Sequence, residues 1–253
     1  MIVFENHKFE QIIGNSDAPY FNKLADKYGL ATSYEAVSHP SLPNYLALTG
    51  GSTFGITSDC TDCSVNSENL ADQLEGAGLS WRAYLEDIPS ACYTGAKSGN
   101  YAKKHNPFIY YDDIAQNRAR CDRSILPVKS FTEDLAGGTL PNFSFVAPDL
   151  CHDMHDCSVS DGDTWLSQFL PDVLSSRAFR EGLTVFVTFD EGTNESNHVP
   201  TFVINRKVSA GNRFDDTYTH YSLLRTIEDI FGLSHLGHAG DPETASMIGL
   251  LGH

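Results

Sequence analysis

The sequence predicts an α/β protein whose central, mostly parallel sheet is sandwiched by helices, and three observations carry that prediction. Short β-branched or aromatic runs alternate with helical patterns along the whole chain, with no internal repeat and no low-complexity linker. The chain has 253 residues, 41% of them hydrophobic, enough for one large core, so it is read as a single domain over 1–253. Three of the apolar runs end in acids, as they would at the ligand-binding edge of an open α/β sheet.

The first element is the strand "MIVF" (Met1 to Phe4), followed directly by Glu5 and Asn6. "YFNKLADKYG" (Tyr20 to Gly29) has apolar residues at helical spacing and a glycine stop. "VSHPSLPNYLALTGG" sets Ser41 between Pro40 and Pro43, and "NYLALTGG" reads as a short helix ending at Gly50. Ser41 then stands at a helix N-terminus, where free N–H groups and the dipole favour a phosphate, and Asn44 lies about one turn on. A second amphipathic helix is expected over Asn69 to Gly78, and a third at "SFTEDLAGG", with Ser130 as cap and Glu133 three residues later. The remaining strands are "SWRAYL" (Ser80 to Leu85), "NFSFVA" (Asn142 to Ala147), "LTVFVTF" (Leu183 to Phe189) and "VPTFVI" (Val199 to Ile204). Asp149 follows the second of these shortly, and Asp190 with Glu191 follow the third at once.

With 33 acidic against 17 basic residues and a formal charge of −16, broad attraction to nucleic acid or to an anionic membrane surface is disfavoured. No apolar run approaches the ~18 residues of a membrane span, so stable membrane insertion is not expected. An anionic substrate must be held by local features instead. The six cysteines, Cys60, Cys63, Cys92, Cys121, Cys151 and Cys157, lie in polar, loop-like sequence, which favours disulfides and an oxidising compartment. "CTDC" has a zinc-like spacing, but no second close pair completes a structural site. Chain order prefers Cys92 with Cys121 and Cys151 with Cys157.

A lone acid at a strand end is most often a solvated end or a cap, whereas "EN" and "DE" after two apolar strands gather negative charge that needs a cation. A serine hydroxyl needs a base or a metal to become a nucleophile. No G-x-S-x-G elbow surrounds Ser41, and a Ser-His-Asp triad drawn with His39 or His155 leaves the acids without a purpose. Metal activation uses them all. Carboxylate and amide oxygens suit Ca²⁺, Mg²⁺ or Mn²⁺ better than Zn²⁺. A non-catalytic calcium-binding module would satisfy the acids but has no need of a proline-framed serine.

"ENHKF", "HPSLPNYLALTGG", "PDLCHDMHD", "GDTWL", "VTFDEG", "HVPTFVI" and "THYSLLRTIEDIFGL" together resemble the bacterial phosphoesterase family of secreted acid phosphatases and phospholipases C. The size and the cysteine-bearing middle look most like the small SapM-type acid phosphatases. The resemblance implies an alkaline-phosphatase-like fold with metal at the strand ends. It makes Glu5, Asn6, Asp190 and Glu191 metal ligands and Ser41 both ligand and nucleophile, through a phosphoserine intermediate. It points to one divalent ion, with a second possible at "PDLCHDMHD", where Asp149, His152, Asp153 and His155, with His220 from a later segment, are either ligands or phosphate contacts. His155 is the expected proton donor to the leaving group, and His152, His220 and Asn44 the expected contacts. His198 lies shortly after the acidic pair and is as readily structural. The implied activity is an acid-phosphatase-type phosphomonoesterase, with a phosphodiesterase or phospholipase C as the alternative, acting on a small phosphate ester or a phospholipid headgroup. Family members carry a longer strand before "ENH" and a signal peptide before that, so the N-terminus is read as trimmed or its start as misassigned, and secretion follows from the cysteines and the resemblance.

Overall fold

A computed structural model describes residues 1–252. Its eight-stranded sheet contains β1 (Ile2–Phe4), β2 (Gly29–Ala31), β3 (Trp81–Leu85), β4 (Ile125–Pro127), β5 (Phe143–Ala147), β6 (Val185–Phe189), β7 (Thr201–Ile204) and β8 (Arg213–Phe214). Across the sheet the order is β8-β2-β7-β6-β1-β5-β3-β4. β4, β3, β5, β1 and β6 run parallel, β7 pairs antiparallel with both β6 and β2, and β8 is parallel to β2. The sheet is thus mostly parallel with one reversed strand. The central strands read as unbroken apolar runs because helices cover both faces.

The expected strands all form, and three short ones were not legible. β2 occupies the glycine end of the expected first helix, which stops earlier as α1 (Pro19–Lys27). β4 and β8 are too short to show a pattern. The helix of the serine motif is α2 (Ser41–Gly50), buried along its whole length. It ends at Gly51 with φ 69°, where a Cβ would meet the Leu236 carbonyl oxygen at 2.1 Å, so glycine is required twice over.

The second expected helix is α3 (Leu70–Gly76), with Asn69 as its cap. α4 (Val128–Gly137) begins before Ser130, so Ser130 sits inside the helix and is not its cap; Pro127 holds the cap position and favours the turn by its fixed φ. α5 (Val159–Ser175) is the longest helix, and Pro171 inside it hides its periodicity from sequence reading. α6 (His220–Phe231) completes the layers, capped by Thr219.

The core is aromatic around β1. Phe4 packs edge-on against Phe21 and Trp165 and lies 5.5 Å from Phe189, all four belonging to α1, α5 or the two central strands. Three disulfides join Cys60 to Cys63, Cys92 to Cys121 and Cys151 to Cys157. The two preferred pairings hold, and "CTDC" closes on itself as a third disulfide in place of a zinc site.

Candidate active site

Register places the central acids. Phe4 of β1 lies opposite Phe189 of β6, so Glu5 and Asp190 leave the sheet side by side. The Asp190 N–H donates to the Phe4 carbonyl at 2.9 Å, and the Asn6 N–H donates to Asp190 Oδ1 at 3.0 Å. Asn6 takes φ 52°, a conformation asparagine tolerates better than most residues, and this turns the chain back over the strand end. Both acids are wholly buried.

Ser41, the first residue of α2, donates from Oγ to Glu5 Oε2 at 2.9 Å. Tyr45, one turn later, donates to Glu5 Oε1 at 2.6 Å. Asp190 Oδ2 has no hydrogen-bond partner although it is fully buried. Burial pushes the Glu5 carboxyl far above its usual range, and the nearby charges of Asp190 and Asp153 add to that. Burial, then the charge of Glu191, does the same to Asp190. Buried carboxylates crowded in this way require a cation or a proton.

Glu191 is turned aside. Its Oε2 is paired with His39 Nδ1, while His39 Nε2 lies 3.2 Å from the Asn194 carbonyl oxygen. Gly192, which follows, is held in place: its N–H donates to Asn197 Oδ1 at 2.6 Å, and Asn197 Nδ2 donates to the Ser38 carbonyl at 2.8 Å. Asn197 therefore clamps the acidic turn to the turn that carries the serine.

Asn44 is buried with its amide fully engaged. Oδ1 accepts from the Val37 and Ser38 N–H groups, and Nδ2 donates to the Ser38 and Pro40 carbonyls. It holds the entrance to α2 and has no donor left for a phosphoryl oxygen. The helix N-terminus is also less free than expected, because the Leu42 N–H donates to Asp59 Oδ1 at 2.9 Å.

The histidines separate. His155 is partly exposed, with Nε2 3.2 Å from Lys104 Nζ and Nδ1 2.6 Å from Asp156 Oδ1. His220 is buried between the Tyr34 hydroxyl at 3.0 Å and the Asp190 carbonyl oxygen at 2.5 Å, and burial lowers its pKa to about 4. It supports the Asp190 backbone as a neutral ring. His152 belongs to another cluster. It lies 3.0 Å from Glu86 Oε2 and stacks on Trp165, and the ligand atoms of Glu86, Asp149 and His152 all fall within 4.8 Å of one another. Asp149 accepts there from the Cys151 and His152 N–H groups. The strand-end acids thus form two groups, Glu5 with Asp190 and Glu86 with Asp149. His198 stacks on Phe9 with ring centroids 4.6 Å apart, and its Nε2 lies 2.9 Å from the Thr32 carbonyl oxygen.

Three neighbours of the serine were not visible in the sequence reading. Lys104 Nζ donates to Ser41 Oγ at 3.3 Å and to Asp59 Oδ2 at 3.0 Å. Burial works against its charge, but Glu5, Asp59 and Asp190 overcome that and raise its pKa. His105 is buried 3.2 Å from Glu5 Oε1 and 2.9 Å from Asp153 Oδ2, and burial lowers its pKa well below normal. It stacks on Tyr45. A "KKH" run following a hairpin carries no periodic pattern that would have placed it here.

The donor set fits a hard divalent cation: the Glu5 and Asp190 carboxylates follow paired strand ends, Ser41 Oγ bonds to Glu5, and the buried Asp190 Oδ2 is unpartnered.

This fold follows the alkaline-phosphatase plan. Structural likeness supports the fold: an alkaline phosphatase superfamily protein from Vibrio parahaemolyticus superposes with a TM-score of 0.67 at 14% identity, covering 95% of this chain and 69% of its own. A phosphonate monoester hydrolase from Silicibacter pomeroyi gives 0.61 at 11% identity, with 99% and 75% covered. The chain belongs to the phosphoesterase family, which matches residues 13–234. Among its relatives, a phosphatidylinositol-3-phosphatase of Mycobacterium tuberculosis is 35% identical over 94% of this chain and 78% of its own length. A phosphate-repressible acid phosphatase of Penicillium chrysogenum is 34% identical over 93% of this chain and 59% of its own, so the chain spans little more than half of that enzyme.

Proposed function

We propose that the chain is a metal-dependent phosphomonoesterase of the acid-phosphatase type, working through a phosphoserine at Ser41. The observation that carries this is the position of Ser41 Oγ, buried between a carboxylate that accepts its proton, Glu5 at 2.9 Å, and the Lys104 ammonium at 3.3 Å. One divalent cation, Ca²⁺, Mg²⁺ or Mn²⁺, would be held by Glu5, Asp190 and Ser41, with Asn6 and Glu191 completing the set; bound there, it supplies charge neutralisation at the phosphate and favours the ionised serine.

The chain's own residues account for the rest. Glu5 takes the Ser41 proton as Oγ bonds to phosphorus, and the ester P–O bond breaks in line with the attack. His155, oriented through Nδ1 by Asp156, gives the leaving oxygen its proton from Nε2. It then takes one from the water that attacks the phosphoserine, and as the Ser41–phosphorus bond breaks Glu5 returns its proton to Oγ, which releases inorganic phosphate and restores the serine hydroxyl. His220 and Asn44 act as supports, one behind Asp190 and one behind the serine turn. A small phosphate ester or a phospholipid headgroup fits as substrate, and the three disulfides suit a secreted or extracytoplasmic location. Among the described residues no helix is long and apolar enough to cross a membrane.

The test is hydrolysis of p-nitrophenyl phosphate by the parent, the chelated protein and Ser41→Ala. Chelation should remove turnover and added divalent ion should restore it. Ser41→Ala should lose at least about 10⁴-fold in kcat while retaining the far-UV spectrum of the parent. Substantial remaining turnover in Ser41→Ala would eliminate the covalent route.

A further inference from the structure

Two adjacent lysines tie the serine to a small disulfide-closed loop. Lys103 Nζ donates to the Thr61 carbonyl at 2.7 Å and lies over the Tyr110 ring, 4.6 Å from its centroid. Lys104 Nζ donates to Asp59 Oδ2, and Asp59 Oδ1 accepts from the Leu42 N–H. Asp59 and Thr61 flank Cys60, whose disulfide to Cys63 closes this loop. One carboxylate therefore sets both the first turn of α2, beside Ser41, and the ammonium that touches Ser41. The carboxylates at the serine centre are Glu5 and Asp190, and Lys104 is the ammonium that reaches Ser41 among the described residues.

The geometry points to Lys104 as the residue that selects dianionic phosphomonoesters over monoanionic diesters, and to the Cys60–Cys63 loop as the device that positions it. This rests on the serine reading above. An ammonium offers three donors, and in the free protein these go to Ser41, Asp59 and His155. Attack by Ser41 brings a phosphoryl group to this point, where its non-bridging oxygens take over the contacts to Ser41 and His155 while Asp59 keeps its own. A monoester presents three such oxygens and about two negative charges, whereas a diester presents two oxygens and one charge. In a buried setting the added charge is felt strongly. The loop matters because a lysine on a four-carbon stem is mobile unless its head is held, and Asp59 holds it.

The experiment measures kcat/KM for p-nitrophenyl phosphate and for bis(p-nitrophenyl) phosphate in the parent, Lys104→Met, Lys104→Arg, Asp59→Asn and the double variant Cys60→Ser with Cys63→Ser. Lys104→Met should lose about 100-fold on the monoester and under about 10-fold on the diester, and Lys104→Arg should recover part of that ratio. Asp59→Asn and the double serine variant should shift the ratio the same way, chiefly by raising KM for the monoester. Equal losses on both esters in Lys104→Met would overturn the selectivity role, and parent-like ratios in both loop variants would overturn the positioning role. Should Lys104→Met fail to fold, competitive inhibition of the parent decides: inorganic phosphate should inhibit at least about tenfold more tightly than dimethyl phosphate, and equal inhibition overturns the proposal. An active Ser41→Ala would instead bring down the serine reading itself, so the two failures are told apart.

Discussion

Asn44 spends its whole side-chain amide on the backbone just before Ser41, which makes it a test of how the nucleophile is held. Asn44→Ala leaves the partly buried Val37 and Ser38 N–H groups without their acceptor and removes the side-chain donor to the Pro40 carbonyl, while the Ser38 carbonyl keeps Asn197, at a cost of about 1–3 kcal/mol for each stranded group before relaxation. We expect a lower melting temperature and a fall in kcat with little change in KM, read by calorimetry and steady-state kinetics; a kcat equal to the parent's would mean the turn holds its shape without the amide. At this scale much of the site was legible. Ser41 was marked by its prolines, and Glu5 and Asp190 by the apolar strands they end. Lys104, His105 and Tyr45 were not legible, because folding brings them to the serine from a loop run and from the buried side of a helix. Nor could the sequence show that Asn44 and His220 face backbone groups, since an amide or an imidazole reads the same whether it meets a carbonyl or a ligand.

Lys103 to His105 belong to the long excursion between β3 and β4, and the Cys92–Cys121 disulfide closes that excursion at its two ends. With a sequence separation of 29 residues, the loop-closure view gives it a stabilisation of about 3.6 kcal/mol. Replacing both cysteines with serine should lower the melting temperature by about 7–14 °C, and calorimetry checks it. A change under about 1 °C would show that packing alone holds the excursion in place. β1, β3, β5, β6 and β7 were readable as elements because each lies in a largely apolar, β-branched or aromatic run. β2, β4 and β8 were not, since they are two or three residues long and no such run marks them. α5 went unread for a different reason, its internal proline and glycine imitating a loop.

Across the whole molecule the acid excess is large, and one acid far from the serine bears on stability. Glu228 of α6 is fully buried, with Oε1 accepting from the Leu236 N–H and Oε2 unpartnered, and burial raises its pKa to about 8. The folded state then binds a proton that the unfolded state releases at a lower pH. This group's contribution is intact below the ordinary carboxyl range and is lost as pH rises toward 8. Glu228→Gln should match the parent near pH 5 and melt at least about 2 °C higher near pH 8.5; equal melting temperatures at both values would contradict the assignment.

β7 is the one strand that runs against the sheet, so the chain leaving Asp190 at the catalytic end returns to that same end before re-entering the sheet. Residues 193–196 form the exposed tip of this hairpin, while Asn197 and His198 fasten its base to the turn before Ser41 and to the first helical turn after β1. In evolutionary terms the tip is a free parameter. A lineage can lengthen or shorten the tip there without moving a strand, so changes of length and changes that disturb the sheet fall on different residues.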